Sequence, residues 1–140
     1  MLLIIKGIPL QKQSAKFVRT NNFIRSYQPK KVVDWMAQAR LQIIEQLPDS
    51  HIPYDNEVII NRLVFVFPPL KSWSKTKMKQ LESGVVLYKS TKPDLDNLQK
   101  QIFDCCTGLV FVDDSRIVRV LQMEKVFGVV PRIEMDVYEL

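Results

Sequence analysis

The run from Glu57 to Phe67, EVIINRLVFVF, restricts the fold more than any other stretch. Val58, Ile59, Ile60, Leu63, Val64, Phe65, Val66 and Phe67 put β-branched, aliphatic or aromatic side chains on both faces of a strand formed here. Such a strand needs a cover on each side, so it belongs in the middle of a sheet, under helices or a partner subunit. Pro68-Pro69 ends it, because proline has no N–H to give to a ladder.

The other segments supply candidate covers. Lys30 to Leu47 is the clearest helix: Val32, Met36, Ala39, Ile43 and Leu47 recur every three or four residues, and Trp35 and Ile44 widen the stripe. Pro48 stops it. Leu2 to Leu10 reads as a first strand, weakened by Gly7 and Pro9. Gln11 to Asn22 is polar and basic, a loop or irregular hairpin. Lys71 to Ser83 reads as a short basic helix closed by Gly84, and Val85 to Thr91 as a strand that Lys92-Pro93 breaks.

Asp94 to Cys106 is the second major helix. Leu95, Leu98, Ile102, Cys105 and Cys106 form its apolar stripe, with Asn97, Lys100, Gln101 and Asp104 on the other side. Gly108 terminates it. Ser115 to Val126 reads as one strand. Val129 to Tyr138 alternates, with Val129, Ile133, Met135 and Val137 opposite Arg132, Glu134 and Asp136. The order β-α-β-α-β-α-β-β predicts an α+β fold, a mixed β-sheet packed with helices in a single domain over residues 1–140.

Composition narrows the class. The chain of 140 residues is 46% hydrophobic and 25% charged, as expected of a soluble globular domain. The opening MLLII is broken by Lys6 and Gly7, too early for a signal-peptide core, and no later run is long enough to span a bilayer. Cys105 and Cys106 are neighbours without a nearby histidine, which points to free thiols in a reduced, cytosolic compartment. Through Pro93 there are 15 Lys/Arg against 6 Asp/Glu, a balance of +9; from Asp94 onward 5 stand against 9, a balance of −4. A basic body with a compact acidic spot suits an enzyme that attracts a polyanion and places metal on it. A solvated basic surface with a few ion pairs is the plainer alternative.

The acidic spot is KPDLDNLQKQIFDCCTGLVFVDD, Lys92 to Asp114, holding Asp94, Asp96, Asp104, Asp113 and Asp114. Carboxylates grouped in this way repel one another unless a cation joins them. Mg²⁺ prefers oxygen ligands and takes a few carboxylates beside waters and substrate phosphates. Asp94 and Asp96 can share an ion only where the backbone is still extended, since in a helix side chains two apart diverge by about 200°. Pro93 favours that geometry and makes Asp94 an N-cap whose side chain meets free N–H groups. Lys100, four residues after Asp96, can steady its carboxylate or contact a reacting phosphate. Only one of Asp113 and Asp114 is expected to face the site, and spacing does not choose between them. Caps, turns and surface ion pairs account for the same residues without any metal.

K-P-D-L-D-N-L-x-K, then F-D, a glycine-containing turn and D-D before a β-rich run together resemble the RusA family of Holliday junction resolvases, densely from Lys92 to about Lys125. These crossover junction endodeoxyribonucleases are often encoded by phages and prophages. The resemblance implies a RusA-like fold and a homodimer that binds four-way junction DNA and makes paired, Mg²⁺-dependent nicks in recombination and repair, with Mn²⁺ as a substitute metal. Asp94, Asp96 and Asp114 fall on the family's metal-binding catalytic aspartates and Lys100 on its catalytic lysine. Asp113 matches a further acidic position and is counted with the metal residues, and Asp104 matches another acidic position. The Lys71 to Ser83 insertion is absent from the shortest members.

Neutralising junction phosphates calls for cations. Lys71, Lys75, Lys77, Lys79, Lys89 and Lys92 are candidates before the motif, with Trp73 among them to stack on a base or pack on the body. Lys12, Lys16, Arg19 and Arg25 form a second basic stretch with Phe17 and Phe23 interleaved; a loop of solvated charges is the alternative. His51 receives no role. Twofold symmetry of a junction favours a dimer, with Val58–Phe67 and the C-terminal strand as candidate interfaces; full use of both inside the monomer core is the alternative. Two other readings remain: a non-catalytic nucleic-acid-binding module, and a metal-dependent nucleotide phosphohydrolase.

Overall fold

The structure is a computed structural model that describes residues 1–12, 16–27 and 29–140; of Lys16 it describes the backbone alone. Its elements are β1 (Leu2–Lys6), β2 (Lys16–Thr20), β3 (Phe23–Tyr27), α1 (Lys30–Gln46), β4 (Val58–Phe67), α2 (Lys75–Glu82), α3 (Leu95–Cys106), a 3₁₀ turn (Asp114–Arg116), β5 (Ile117–Val120), β6 (Met123–Phe127) and β7 (Arg132–Glu139). This is the expected α+β class, with a mixed sheet.

β4 is the central strand, as its double-sided apolar run requires. β7 pairs antiparallel along one edge, and β1 pairs with β7 beyond it. Along the other edge β5 and β6 both run parallel to β4, β5 beside Val58–Ile60 and β6 beside Leu63–Phe67. The single strand expected from Ser115 to Val126 is therefore a 3₁₀ turn and two strands. The break lies at Leu121-Gln122, where Leu121 N–H donates to Ile60 O and Gln122 O accepts from Leu63 N–H, each at 2.9 Å. β4 carries one odd residue of its own. Its register against β7 shifts between Ile60 and Arg62, leaving Asn61 exposed. Val58, Ile60, Leu63, Phe65 and Phe67 consequently all join the main core, despite the change of spacing in the middle.

α1 and α3 pack together, and α1 lies on β1. Val32, Ala39 and Ile43 are the buried residues of α1; Ile44, assigned to the same stripe, is 52% exposed. β1 stops at Lys6, short of the expected Leu10, and α1 covers its outer edge. Gln46 bonds both polar groups of Ile4 (N–H to Oε1 2.9 Å, Nε2 to O 2.7 Å), and Gln42 does the same for Lys6 at 2.7 and 3.2 Å. Two glutamines one turn apart thus occupy an edge that otherwise invites pairing with another chain.

Several expectations are corrected here. β4 and β7 each have a neighbour on both edges, so neither can carry the sheet into a second subunit by edge pairing. Val129 is 59% exposed and precedes β7, whose buried residues are Ile133, Met135 and Val137. Val85–Thr91 makes only a bridge at Tyr88 to Val126 and two backbone bonds beside β6. The loop or irregular hairpin expected from Gln11 to Asn22 is a regular hairpin that runs further along the chain, with β2 and β3 paired around Asn21 and Asn22, both at positive φ (46° and 65°). Consecutive positive φ is the twist that tight hairpins favour, and asparagine tolerates it. The hairpin forms its own small sheet, and its phenylalanines are largely exposed. Among the described residues, no helix is long and apolar enough to cross a membrane.

Candidate active site

α3 is the element that carries the acidic motif, and three cations from elsewhere in the chain hold it. At its C-terminal end Arg40 Nη1 donates to Cys105 O at 3.0 Å and Thr107 O at 3.1 Å, placing positive charge where the helix's free carbonyls gather. Midway along, Lys12 Nζ meets Asp104 Oδ2 at 2.6 Å, and the Lys12 N–H donates to Asn97 O at 3.1 Å. Just before the N-terminus, Lys125 of β6 donates to Thr91 O at 2.7 Å and Pro93 O at 2.8 Å. The Lys92–Pro93 peptide there is cis. Cys105 and Cys106 are buried free thiols, and burial pushes Cys105 up to about 12 and Cys106 higher still. They are packing groups, not nucleophiles.

Asp94 occupies the N-cap position with extended backbone (φ −70°, ψ 143°), the non-helical geometry anticipated from Pro93. Its side chain, however, makes no capping hydrogen bond, contrary to the expectation that it would meet the free N–H groups. The carboxylate is therefore not committed to the helix. Asp96, in the first turn, pairs with Lys100 Nζ at 3.1 Å; both side chains are more than half exposed, so water screens the pair. Asp96 also complements the helix N-terminus.

The Asp113-Asp114 pair divides its work. Asp113 caps the 3₁₀ turn, accepting from Ser115 N–H at 3.1 Å, and hydrogen bonds from Ser115, aided by Arg116, hold its carboxyl below the ordinary aspartate value. Asp114 instead lines a groove with Gln99 and Phe103 of α3 and Ile117 and Arg119 of β5. The 3₁₀ turn packs against α3. The structure thus gathers Asp94, Asp96 and Lys100 at one helix end and sets Asp114 against the next turns of that helix. Among the described residues, no group of three or more His, Cys, Asp or Glu forms a closed set able to hold a metal. The donor chemistry nevertheless fits magnesium, which takes one or two carboxylates and fills its remaining positions with water and phosphate oxygens.

The candidate DNA contacts fall into two groups. Lys71, Lys75, Lys77, Lys79 and Lys92 are exposed. Ser74 caps α2 through Lys77 N–H, so Lys71 precedes the helix. Trp73 packs edge-on against Phe127, with ring centres 4.7 Å apart, and Lys77 Nζ lies 4.2 Å above it. That is the packed alternative, and the stacking role is set aside. Lys89 is partly engaged, bonding Thr91 Oγ1 at 2.8 Å over the Phe67 and Phe127 rings. Lys12 is in an ion pair rather than free for phosphate. Arg19 and Arg25 are exposed on the hairpin with Phe17 and Phe23, while the Lys16 side chain lies outside the described residues. His51 packs on Tyr54 with its ring nitrogen 3.1 Å from Val110 O.

Two positions depart from the sequence pattern. Gln101, assigned to the polar side of α3, is fully buried, and neither polar atom of its side chain has a partner. The Lys12 segment lies along this helix, which is therefore covered on more than its apolar stripe. Lys125 reads as an ordinary strand lysine until β6 is recognised as a separate strand. Its inward row is then Met123, Lys125 and Phe127.

This end of α3 is open to solvent, rich in carboxylate oxygen and bracketed by cations. Residues 6–138 match the family described as Endodeoxyribonuclease RusA, and the chain belongs to that family of endodeoxyribonucleases. It is also similar to a Bacillus subtilis (strain 168) protein named Uncharacterized protein YqaN, at 37% identity over 73 residues. That stretch is 52% of this chain and 50% of the relative, so the match spans about half the length of each.

Proposed function

We propose that this endodeoxyribonuclease resolves four-way DNA junctions by paired, Mg²⁺-dependent nicks during recombination and repair, acting as a homodimer. The observation that carries the reading is Asp94: a helix-start aspartate in extended geometry whose carboxylate is not used for capping, two residues before the aspartate of the Asp96–Lys100 pair. Asp94, Asp96 and Asp114 are the residues that would hold the metal. When bound, magnesium supplies an activated water and offsets charge on the pentacoordinate phosphorus. Asp113 caps the 3₁₀ turn instead, its carboxylate accepting from Ser115 N–H.

Lys100 serves the phosphate. Its ammonium, held beside Asp96, donates hydrogen bonds to a non-bridging or leaving oxygen as negative charge develops there. Positioning on a braced helix limits the reorganisation this requires. The exposed lysines around α2, together with Arg19 and Arg25 of the hairpin, neutralise junction arms, and the exposed hairpin phenylalanines offer stacking surfaces where bases are unpaired. Dimerisation places one such site on each of two opposed strands of a twofold substrate.

The test uses labelled four-way junction, duplex and free nucleotides, each with and without Mg²⁺. Junction nicking that needs Mg²⁺ is expected, with Asp96→Asn binding junctions normally and losing about 100- to 1,000-fold in nicking rate. Unchanged cleavage by Asp96→Asn is incompatible with the mechanism. Turnover of nucleotides without preference for junctions, or binding with no cleavage at all, sinks the resolvase reading.

A further inference from the structure

Lys125 stands where the sheet calls for an apolar residue. Its register partner on β4 is Phe65, a fully buried core residue, so Lys125 points to the same face as its strand neighbours Met123 and Phe127, both packed against the core. A lysine in such a row lays its stem among apolar neighbours and must find acceptors for the ammonium. The acceptors here are main-chain carbonyls, Thr91 O at 2.7 Å and Pro93 O at 2.8 Å. The Pro93 carbonyl belongs to the same peptide group as the Asp94 nitrogen. Fixing that carbonyl fixes the plane from which Asp94 departs.

Asp94 lacks any capping bond that would set its own side chain. What orients it is the turn before it, and that turn is held by lysines. Lys89 adds a bond to Thr91 Oγ1 at 2.8 Å, and its N–H donates to Lys125 O at 3.0 Å, tying the turn to β6 a second time. The choice of acceptor matters. An ammonium bound to Asp94 itself would occupy its carboxylate, whereas one bound to neutral carbonyls braces the backbone and leaves that carboxylate available.

We propose that Lys125 is a positioning residue for Asp94, clamping the Thr91–Pro93 turn so that the carboxylate is presented to a divalent cation. The proposal rests on Asp94 being a metal ligand of the proposed nuclease. Partners behind a metal ligand typically govern affinity by about 10- to 100-fold, and here the partner acts through one peptide group.

The test measures Mn²⁺ binding to the full chain by calorimetry, without DNA, alongside backbone hydrogen exchange of Thr91–Leu98. Lys125→Met is expected to weaken Mn²⁺ binding about tenfold and to speed exchange in that segment, while junction binding without metal stays as in the native protein. Lys125→Arg, which keeps charge and donors, restores most of the affinity, and nicking shifts to higher Mg²⁺ in the same order. Lys125→Gln keeps a shorter donor, is expected to be intermediate, and decides the matter if Lys125→Met does not fold. Native Mn²⁺ affinity and exchange in Lys125→Met, or in Lys125→Gln where that variant stands in, overturns the clamp. So does native affinity in Asp94→Asn. If the native chain binds Mn²⁺ through Asp94 yet leaves junctions uncut, the resolvase reading fails while binding and exchange still judge Lys125.

Discussion

The molecule contains two β units built on opposite terms. In the five-stranded sheet, inward side chains such as Phe65, Met135 and Ile133 are fully buried, and even the β1 edge is bonded by glutamines of α1. In the β2–β3 hairpin, Phe17, Phe23 and Ile24 are each more than 70% exposed, and the two strands are joined by a regular antiparallel backbone ladder. An isolated two-stranded ribbon is marginal in water. The sheet fixes geometry; the hairpin presents surface. The acidic motif sits on the side that fixes geometry, as chemistry sensitive to small displacements requires.

The largest effect that tests this contrast is on stability. Phe65→Ala should lower unfolding free energy by about 3–5 kcal/mol in urea titration, whereas Phe23→Ala should stay within about 0.5 kcal/mol. A comparable loss for Phe23→Ala would mean that the hairpin packs on a body and is not a free arm. Next comes the arm's charge. Replacing Arg19 and Arg25 by alanine should weaken junction binding and flatten its dependence on log salt by roughly one unit for each phosphate no longer neutralised; an unchanged slope would remove the hairpin from the DNA interface.

The smallest effect belongs to the sheet's outer face. Burial alone would raise Glu134, but hydrogen bonds from Arg132 and Arg62 outweigh it and hold its carboxyl below the ordinary glutamate value. Because the native value is the lower one, this stabilisation is complete above the unfolded-chain value and fades as pH falls through the native one. Glu134→Gln should cost about 1 kcal/mol near neutrality and give a thermal midpoint that falls less steeply on acidification. Parallel pH profiles for the two proteins would remove Glu134 from the sheet's acid sensitivity.

Legibility in the sequence followed burial. β4, α1 and α3 were readable because long apolar patterns leave little choice, and the break at Pro93 placed Asp94 correctly outside the helix. The hairpin was legible only as one of two options and with other bounds, since its turn is Asn-Asn without glycine and its aromatic residues serve no core. The β5–β6 break escaped for a similar reason: Leu121-Gln122 carries no glycine or proline to mark it. Losing that break hid the parity of β6, and with it the inward position of Lys125. Gln101 shows the limit of helical periodicity, because a segment distant in sequence covers a face that spacing assigns to solvent. The division of labour between Asp113 and Asp114 depends on a local cap to Ser115 that alternation does not reveal.

Asn61 has a reach that its exposed side chain does not suggest. Its neighbours read β4 in two phases, one before this residue and one after. β5, which continues from Asp114, is paired with the first phase; β6, which carries Lys125, is paired with the second. Losing one residue here would keep either half in step only by turning the other half over. On one side Lys125 would give its inward place to a neighbour in sequence; on the other, the strand leading from Asp114 would rotate away from α3. The position therefore tolerates a change of side chain far better than a change of length, and the two edges of the site are synchronised by a residue whose own side chain turns to Asp136 of β7.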